Sequence, residues 1–139
     1  MKIMSVDYGD ARTGIAFCDK NEILATAFTT INESYVPKLV SKIKEIIDEQ
    51  KPEMIVVGLP RNMDGSYGFR CDKCKQLGKL LQEEVGIPVE FEDERLTTVI
   101  AHDILSSNNI KSKKHKNNVD AVSAVVILQS FIDKRKWIN

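Results

Sequence analysis

Ile3-Met4-Ser5-Val6-Asp7-Tyr8-Gly9-Asp10-Ala11-Arg12-Thr13-Gly14-Ile15-Ala16 reads as a strand, a tight turn and a second strand. The apolar run up to Asp7 suits a strand, and the glycines permit backbone angles closed to other residues. Residues 2–7 and 13–18 are therefore expected to form a hairpin. After the turn Asp19-Lys20-Asn21, a third β-prone run extends from Glu22 to Ile31. The period then changes. Val36, Leu39, Val40, Ile43, Ile46 and Ile47 recur at helical spacing, with Ser34 as the N-cap, Pro37 in the first turn and Pro52 beyond the end. Met54 to Gly58 is a continuous apolar run, as expected of a strand buried on both faces.

Leu59 to Gly68 is rich in Gly, Pro, Asn and Asp and reads as a loop. A helix follows from about Phe69 to Val85, with Leu77, Leu80 and Leu81 inward and Gly86 as its stop. Val89 to Glu92 alternates like a strand exposed on one side. Thr97 or Thr98 caps a short helix to Leu105, and Ser106 to Asn118 reads as a polar, basic, mobile loop. A last helix is expected from about Val119 to Asp133, with Val122, Val125, Val126, Leu128 and Ile132 for packing. Three antiparallel strands followed by βαβ units predict one α/β domain, residues 1–139, built on a mixed five-stranded sheet flanked by helices.

Composition narrows the function classes. The 139 residues are 42% hydrophobic and 29% charged, which is globular and long enough for an ordinary core. No window approaches the ~18 apolar residues of a membrane span. The N-terminus carries no secretion signal, so a cytoplasmic protein is expected. Lys plus Arg balance Asp plus Glu, which disfavours a purely electrostatic nucleic-acid coat but permits a local basic surface. Cys18, Cys71 and Cys74 are an odd set without a secretory context, and Cys71-Asp72-Lys73-Cys74 falls inside a helical pattern. All three read as ordinary thiols rather than a disulfide, zinc or redox site.

The chemistry-bearing residues are acids and lysines. Asp7 ends the first strand, Glu94 follows the last strand, and Asp120 falls in the first turn of the last helix, after Asn117-Asn118. If the first strand is central and parallel to the later ones, the carboxyl ends of the strands share the edge where α/β folds place their sites. Carboxylates converging there repel one another unless a divalent cation intervenes, and oxygen-only ligands suit Mg²⁺ or Mn²⁺. A helix N-terminus would favour ionised Asp120. Two such ions activate water and stabilise the leaving oxygen of a phosphodiester. Read singly, Asp120 is only a helix-capping charge and Glu94 only a salt-bridge partner of Arg95. Alternation puts Asp93 with Val89 and Phe91 and Glu94 opposite but does not decide between them at a strand end. Glu94 is favoured for its longer reach, with Asp93 as the alternative second ligand. Lys113, Lys114 and Lys116, just before Asp120, are candidate phosphate contacts, as are Arg12 and Arg95. No basic stripe interleaved with aromatics is present, so recognition by base stacking is not expected.

Four blocks then carry a resemblance: Asp7-Tyr8-Gly9-x-x-Arg12-x-Gly14-x-Ala16, Val57-Gly58-Leu59-Pro60-x-x-Met63-Asp64-Gly65, Asp93-Glu94-Arg95-Leu96-Thr97-Thr98 and Val119-Asp120-Ala121-x-x-Ala124-Val125-x-x-Leu128. In this order the chain resembles the YqgF family, also called RuvX, of bacterial Holliday-junction resolvases or pre-rRNA nucleases. The resemblance implies an RNase H-like fold, a two-metal endonuclease with Asp7, Glu94 and Asp120 as catalytic ligands, and maturation of the 5′ end of pre-16S rRNA. Structured RNA is the favoured partner, with branched DNA and a pre-ribosomal particle as further ones, bound by a monomer or homodimer. The chain departs from the family's pattern before Val119, with Lys116-Asn117-Asn118 where members often carry Gly or Arg. Two readings compete. One is an actin- or Hsp70-like nucleotide-binding unit, but the chain has length for a single lobe and lacks a P-loop. The other is a non-catalytic nucleic-acid-binding module.

Overall fold

The hairpin strand ending at Asp7 is the centre of the sheet. The computed structural model describes residues 1–60, 68–94 and 112–138, with 112–120, 137 and 138 by backbone alone. Its elements are β1 (Ile3–Asp7), β2 (Thr13–Cys18), β3 (Ala25–Ile31), α1 (Val36–Gln50), β4 (Met54–Leu59), α2 (Phe69–Val85), β5 (Val89–Asp93) and α3 (Ser112–Ile138). The five strands lie in the order β3-β2-β1-β4-β5. β1 pairs antiparallel with β2, placing Asp7 opposite Gly14, and parallel with β4, placing Val6 beside Val57. β4 and β5 are parallel, with Gly58 beside Glu92 and Leu59 beside Asp93. This is the mixed sheet expected.

Strand alternation divides the core in two. Met4, Val6, Ile15, Phe17, Ile55 and Val57 face α1 and α2, where Leu39, Ile43, Ile47, Leu77 and Leu81 complete one cluster. Ile3, Ala16, Cys18, Ala25 and Val56 face α3 and pack with Ala124, Ile127, Leu128 and Ile132. The small side chains on both sides let α3 lie close to the sheet. There Ser5 Oγ donates to the Ala124 carbonyl at 2.7 Å, which satisfies an otherwise buried hydroxyl.

Several expectations are corrected. The N-cap of α1 is Tyr35 rather than Ser34, and no side chain bonds the cap. The third strand starts at Ala25 instead of Glu22, because the Asp19 carboxylate accepts the Ile23 and Leu24 amides and extends the turn. β4 continues through Leu59, which had been assigned to the following loop. In α2 the buried stripe is Cys71, Cys74, Leu77, Gly78 and Leu81, and Leu80 falls on its flank, 40% exposed. In β5, Glu90 is exposed and Val89 half-buried, but Glu92 is 5% exposed beneath α3, while Phe91 is 39% exposed and lies over the bare backbone of Gly78.

α3 begins at Ser112, not Val119, so residues expected in a loop are helical. Lysine is a good helix former, and extending a helix already anchored by packing from Ala121 onward requires no new nucleus. Gly86 does end α2, its amide bonding the Gln82 carbonyl. The helix expected from Thr97 or Thr98 to Leu105 and most of the 59–68 loop lie outside the described residues. Cys18, Cys71 and Cys74 are free and buried. Among the described residues, no helix is long and apolar enough to cross a membrane.

Candidate functional site

Asp7 is the last residue of the central strand and shares the face of Ile3 and Ser5, toward α3. The Glu94 amide donates to the Leu59 carbonyl at 3.0 Å, extending the β4–β5 ladder one residue past Asp93. Alternation therefore carries Glu94 onto the face of Glu92, toward α3, and leaves Asp93 with Leu59 and Phe91 on the α2 side. Gly58 lies between the two acids. A Cβ there would come within 2.6 Å of Ile127 Cδ1 and 2.8 Å of the Glu94 carboxyl carbon. The missing side chain is the space the Glu94 carboxyl occupies.

Asp7 and Glu94 are hydrogen-bonded to each other through their carboxyls. Burial, then the Asp7 charge, then that hydrogen bond push the Glu94 pKa up to about 8, only partly offset by the Arg70 guanidinium. The pair therefore holds a proton more tightly than an isolated glutamate would. Beneath the pair, burial and the charges of Glu94, Cys71 and Asp7 raise the Cys74 thiol to about 12. Cys74 stays a neutral packing group and supplies no thiolate ligand.

The remaining predicted residues are distributed less simply. Arg12 is exposed on the β1–β2 turn. Gly9 makes that turn possible, since a Cβ would strike the Arg12 carbonyl. Arg95 lies outside the described residues. The backbones of Lys113, Lys114, Lys116 and Asp120 are in α3, and their side chains are outside what is described. Asp120 is not in the first turn, because α3 starts at Ser112, so a helix N-terminus is no longer the source of its ionisation. Its backbone lies one turn before Ala124, whose carbonyl touches Ser5, two residues before Asp7 on β1. Among the described residues, no group of three His, Cys, Asp or Glu side chains is arranged to hold a metal. Asp7 and Glu94 are two oxygen donors that together suit a hard cation.

Two residues were missed. Arg70, in the first turn of α2, is a cation whose charge acts on both Glu94 and Cys74. Phe69 beside it is 73% exposed, with Lys73 Nζ 4.9 Å from its ring centroid. The sequence does contain Phe69-Arg70 next to Lys73, but only the helical fold puts an aromatic and cations on one surface.

A family model described as RuvX, Holliday junction resolvase, matches residues 1–134. A protein of Thermoanaerobacter pseudethanolicus named "Putative pre-16S rRNA nuclease" is 40% identical over 98% of this chain and 99% of its own length. One of the same name from Clostridium botulinum is 39% identical over 96% of this chain and 98% of its own. In fold, the chain is similar to Thermus thermophilus RuvC in complex with a Holliday junction substrate. The TM-score is 0.62 at 14% identity, covering 98% of this chain and 96% of that one.

Proposed function

The chain belongs to the RuvX family, a family of nucleases, and from that premise we propose that it is a divalent-metal-dependent endonuclease that processes the 5′ end of pre-16S rRNA. The observation that carries this reading is the contact of the Asp7 and Glu94 carboxyls at the carboxyl edge of the sheet. Two acids held together on a rigid scaffold with a raised pKa form an energetically costly arrangement that a cation relieves. The donor chemistry fits Mg²⁺ or Mn²⁺. Asp120 is the proposed third ligand, since a helix stripe through Ala124 runs back toward the Asp7 end of β1. A bound cation would supply Lewis-acid stabilisation of a phosphodiester and activate the attacking water.

The chain's own residues set the geometry. Asp7 is fixed at the end of β1 by its pairing with Gly14 on β2, and Glu94 is seated against Gly58 and Ile127, so both carboxyls are held in place before substrate arrives. The pair must release the proton it holds before both carboxyls can act as ligands. Arg70 stands on the α2 side of the pair and is placed to meet phosphate charge. Arg12, Arg95, Lys113, Lys114 and Lys116 are the proposed outer phosphate contacts, which would give a neutral protein its hold on a polyanion. The proposed setting is the cytoplasm, with the protein acting as a monomer or homodimer on a pre-ribosomal particle.

The test is a cleavage assay offering pre-16S rRNA and a four-way DNA junction side by side with Mg²⁺ or Mn²⁺. Cutting of the RNA near the mature 5′ end, lost in Asp7→Asn, is the expected result. Cutting of the junction alone moves the substrate to branched DNA, and cutting of neither ends the nuclease reading.

A further inference from the structure

The first turns of α2 present two adjoining stripes beside the carboxylates. Arg70 and Cys74, one helical turn apart, lie toward Asp7 and Glu94, whose charges act on the Cys74 thiol. Phe69 and Lys73, also one turn apart, form the neighbouring outer stripe. Phe69 is the most exposed large hydrophobic side chain among the described residues. The Lys73 ammonium is held between that ring and Asp10, 3.5 Å from Asp10 Oδ1, and so belongs to the same turn region that carries Asp7. A cavity of about 400 Å³ opens next to Lys73, with Tyr8, Ser34, Gln76 and Leu77 in its wall.

An aromatic ring left in water forgoes the stabilisation that burial would bring. Here it stands against the Lys73 ammonium and next in the chain to Arg70, whose charge acts on Glu94. An exposed aromatic face flanked by positive charge is the combination that holds single-stranded nucleic acid, because every base has a π-face and every linkage carries charge. A continuous duplex keeps its bases stacked on one another and offers none to the ring. The charges on Arg70 and Lys73 also match a polyanion rather than an apolar protein surface.

We propose that Phe69 is a stacking platform for an unpaired base of the nucleic-acid substrate, with Arg70 and Lys73 holding the phosphates on either side of it. The site thereby prefers a strand with unpaired nucleotides next to the scissile phosphate over a continuous duplex. This rests on the nuclease reading above and names the form of substrate it takes.

The experiment compares wild type, Phe69→Ala, Phe69→Trp and Lys73→Ala on two RNAs of equal length, one fully paired and one carrying unpaired nucleotides with a 2-aminopurine among them. Binding is measured without divalent metal, so nothing is cut. Phe69→Ala should weaken binding of the unpaired RNA by about 5- to 150-fold, the equivalent of ~1–3 kcal/mol per stacked base. It should leave the duplex and the salt slope unchanged. The 2-aminopurine quenching seen with wild type should vanish in Phe69→Ala and return in Phe69→Trp. Lys73→Ala should instead lower the salt slope by about 0.7–0.9. Equal loss on both RNAs, or no loss on either, overturns the proposal, and in the second case the ring is left to a protein partner. Cleavage by wild type with Mg²⁺ is scored separately. If neither RNA is cut but the Phe69 difference stands, the nuclease reading alone fails; if both are cut and Phe69→Ala binds like wild type, the stacking platform alone fails.

Discussion

Glu92 and Glu94 sit two residues apart on the same side of one chain segment, both turned toward α3, yet they meet opposite surroundings. Glu92 is buried and receives Lys134 Nζ at 2.6 Å. Around that end of the helix, Arg135 also pairs with Glu22 at 2.8 Å, and Gln129 accepts the Ala25 amide. Glu94 instead meets Asp7, a second carboxyl, and its pKa rises to about 8. The seam between α3 and the sheet is thus neutralised from within at its C-terminal half. At the other end it brings two carboxyls into contact on a rigid frame. The same residue type thus serves an internal ion pair at one end and a carboxyl–carboxyl contact, partly offset by the Arg70 charge, at the other.

The largest test of that contrast is Asp7→Asn, which keeps the size of the side chain and removes one charge of the pair. Cleavage should fall by about 10³-fold or more while the fold is retained, read by kcat and by circular dichroism. Unimpaired cleavage would mean that the pair is a structural cluster like the one around Glu92.

Gly58→Ala comes next. Its Cβ would displace the ends of Ile127 and Glu94, so cleavage should drop by about 10²-fold. Both contacts are with side-chain tips, so the accompanying loss of stability should be about 1–3 kcal/mol by urea unfolding. A stability loss with unchanged cleavage would place the Glu94 carboxyl outside the chemistry.

The third test is pH. Glu94 has a folded pKa above its ordinary value of 4.5, so between about pH 4.5 and 8 the unfolded chain has released a proton that the folded chain keeps. The contribution of the Asp7–Glu94 pair to the stability of the metal-free protein should be full below about pH 4.5 and be lost as pH rises to about 8. Glu94→Gln should flatten that slope, as followed by urea unfolding in EDTA at several pH values. An unaltered slope in the variant would assign it to other groups.

The smallest effect is expected at the opposite end of the seam. Lys134→Ala leaves Glu92 buried without its cation, but Lys134 is itself half exposed, so water replaces part of the interaction. A loss of about 1–2 kcal/mol in stability is expected, with metal affinity and cleavage unchanged. A fall in metal affinity measured by calorimetry would show that the two ends are coupled through α3.

Much of this architecture is local and therefore legible in the chain. The 3.6-residue spacing of Val36 to Ile47 and the apolar run Met54 to Gly58 specify their elements without reference to anything distant. Asp7 at the end of a strand before Gly9 is equally local, as are three cysteines with no disulfide pattern. What needed the tertiary structure is every property set by a residue far along the chain. Glu92, in a strand whose alternation does not say which face is covered, is buried where Lys134 reaches it from 42 residues away. Alternation put Glu94 and Asp93 on opposite faces, but which face meets Asp7 depends on how β1, β4 and β5 pair. Arg70 became a neighbour of the Glu94 carboxyl only when α2 packed against the sheet. Periodicity specifies an element because hydrogen bonds and side-chain spacing act within a few residues. Charge compensation is decided where elements meet, and that meeting is what the linear order leaves unstated.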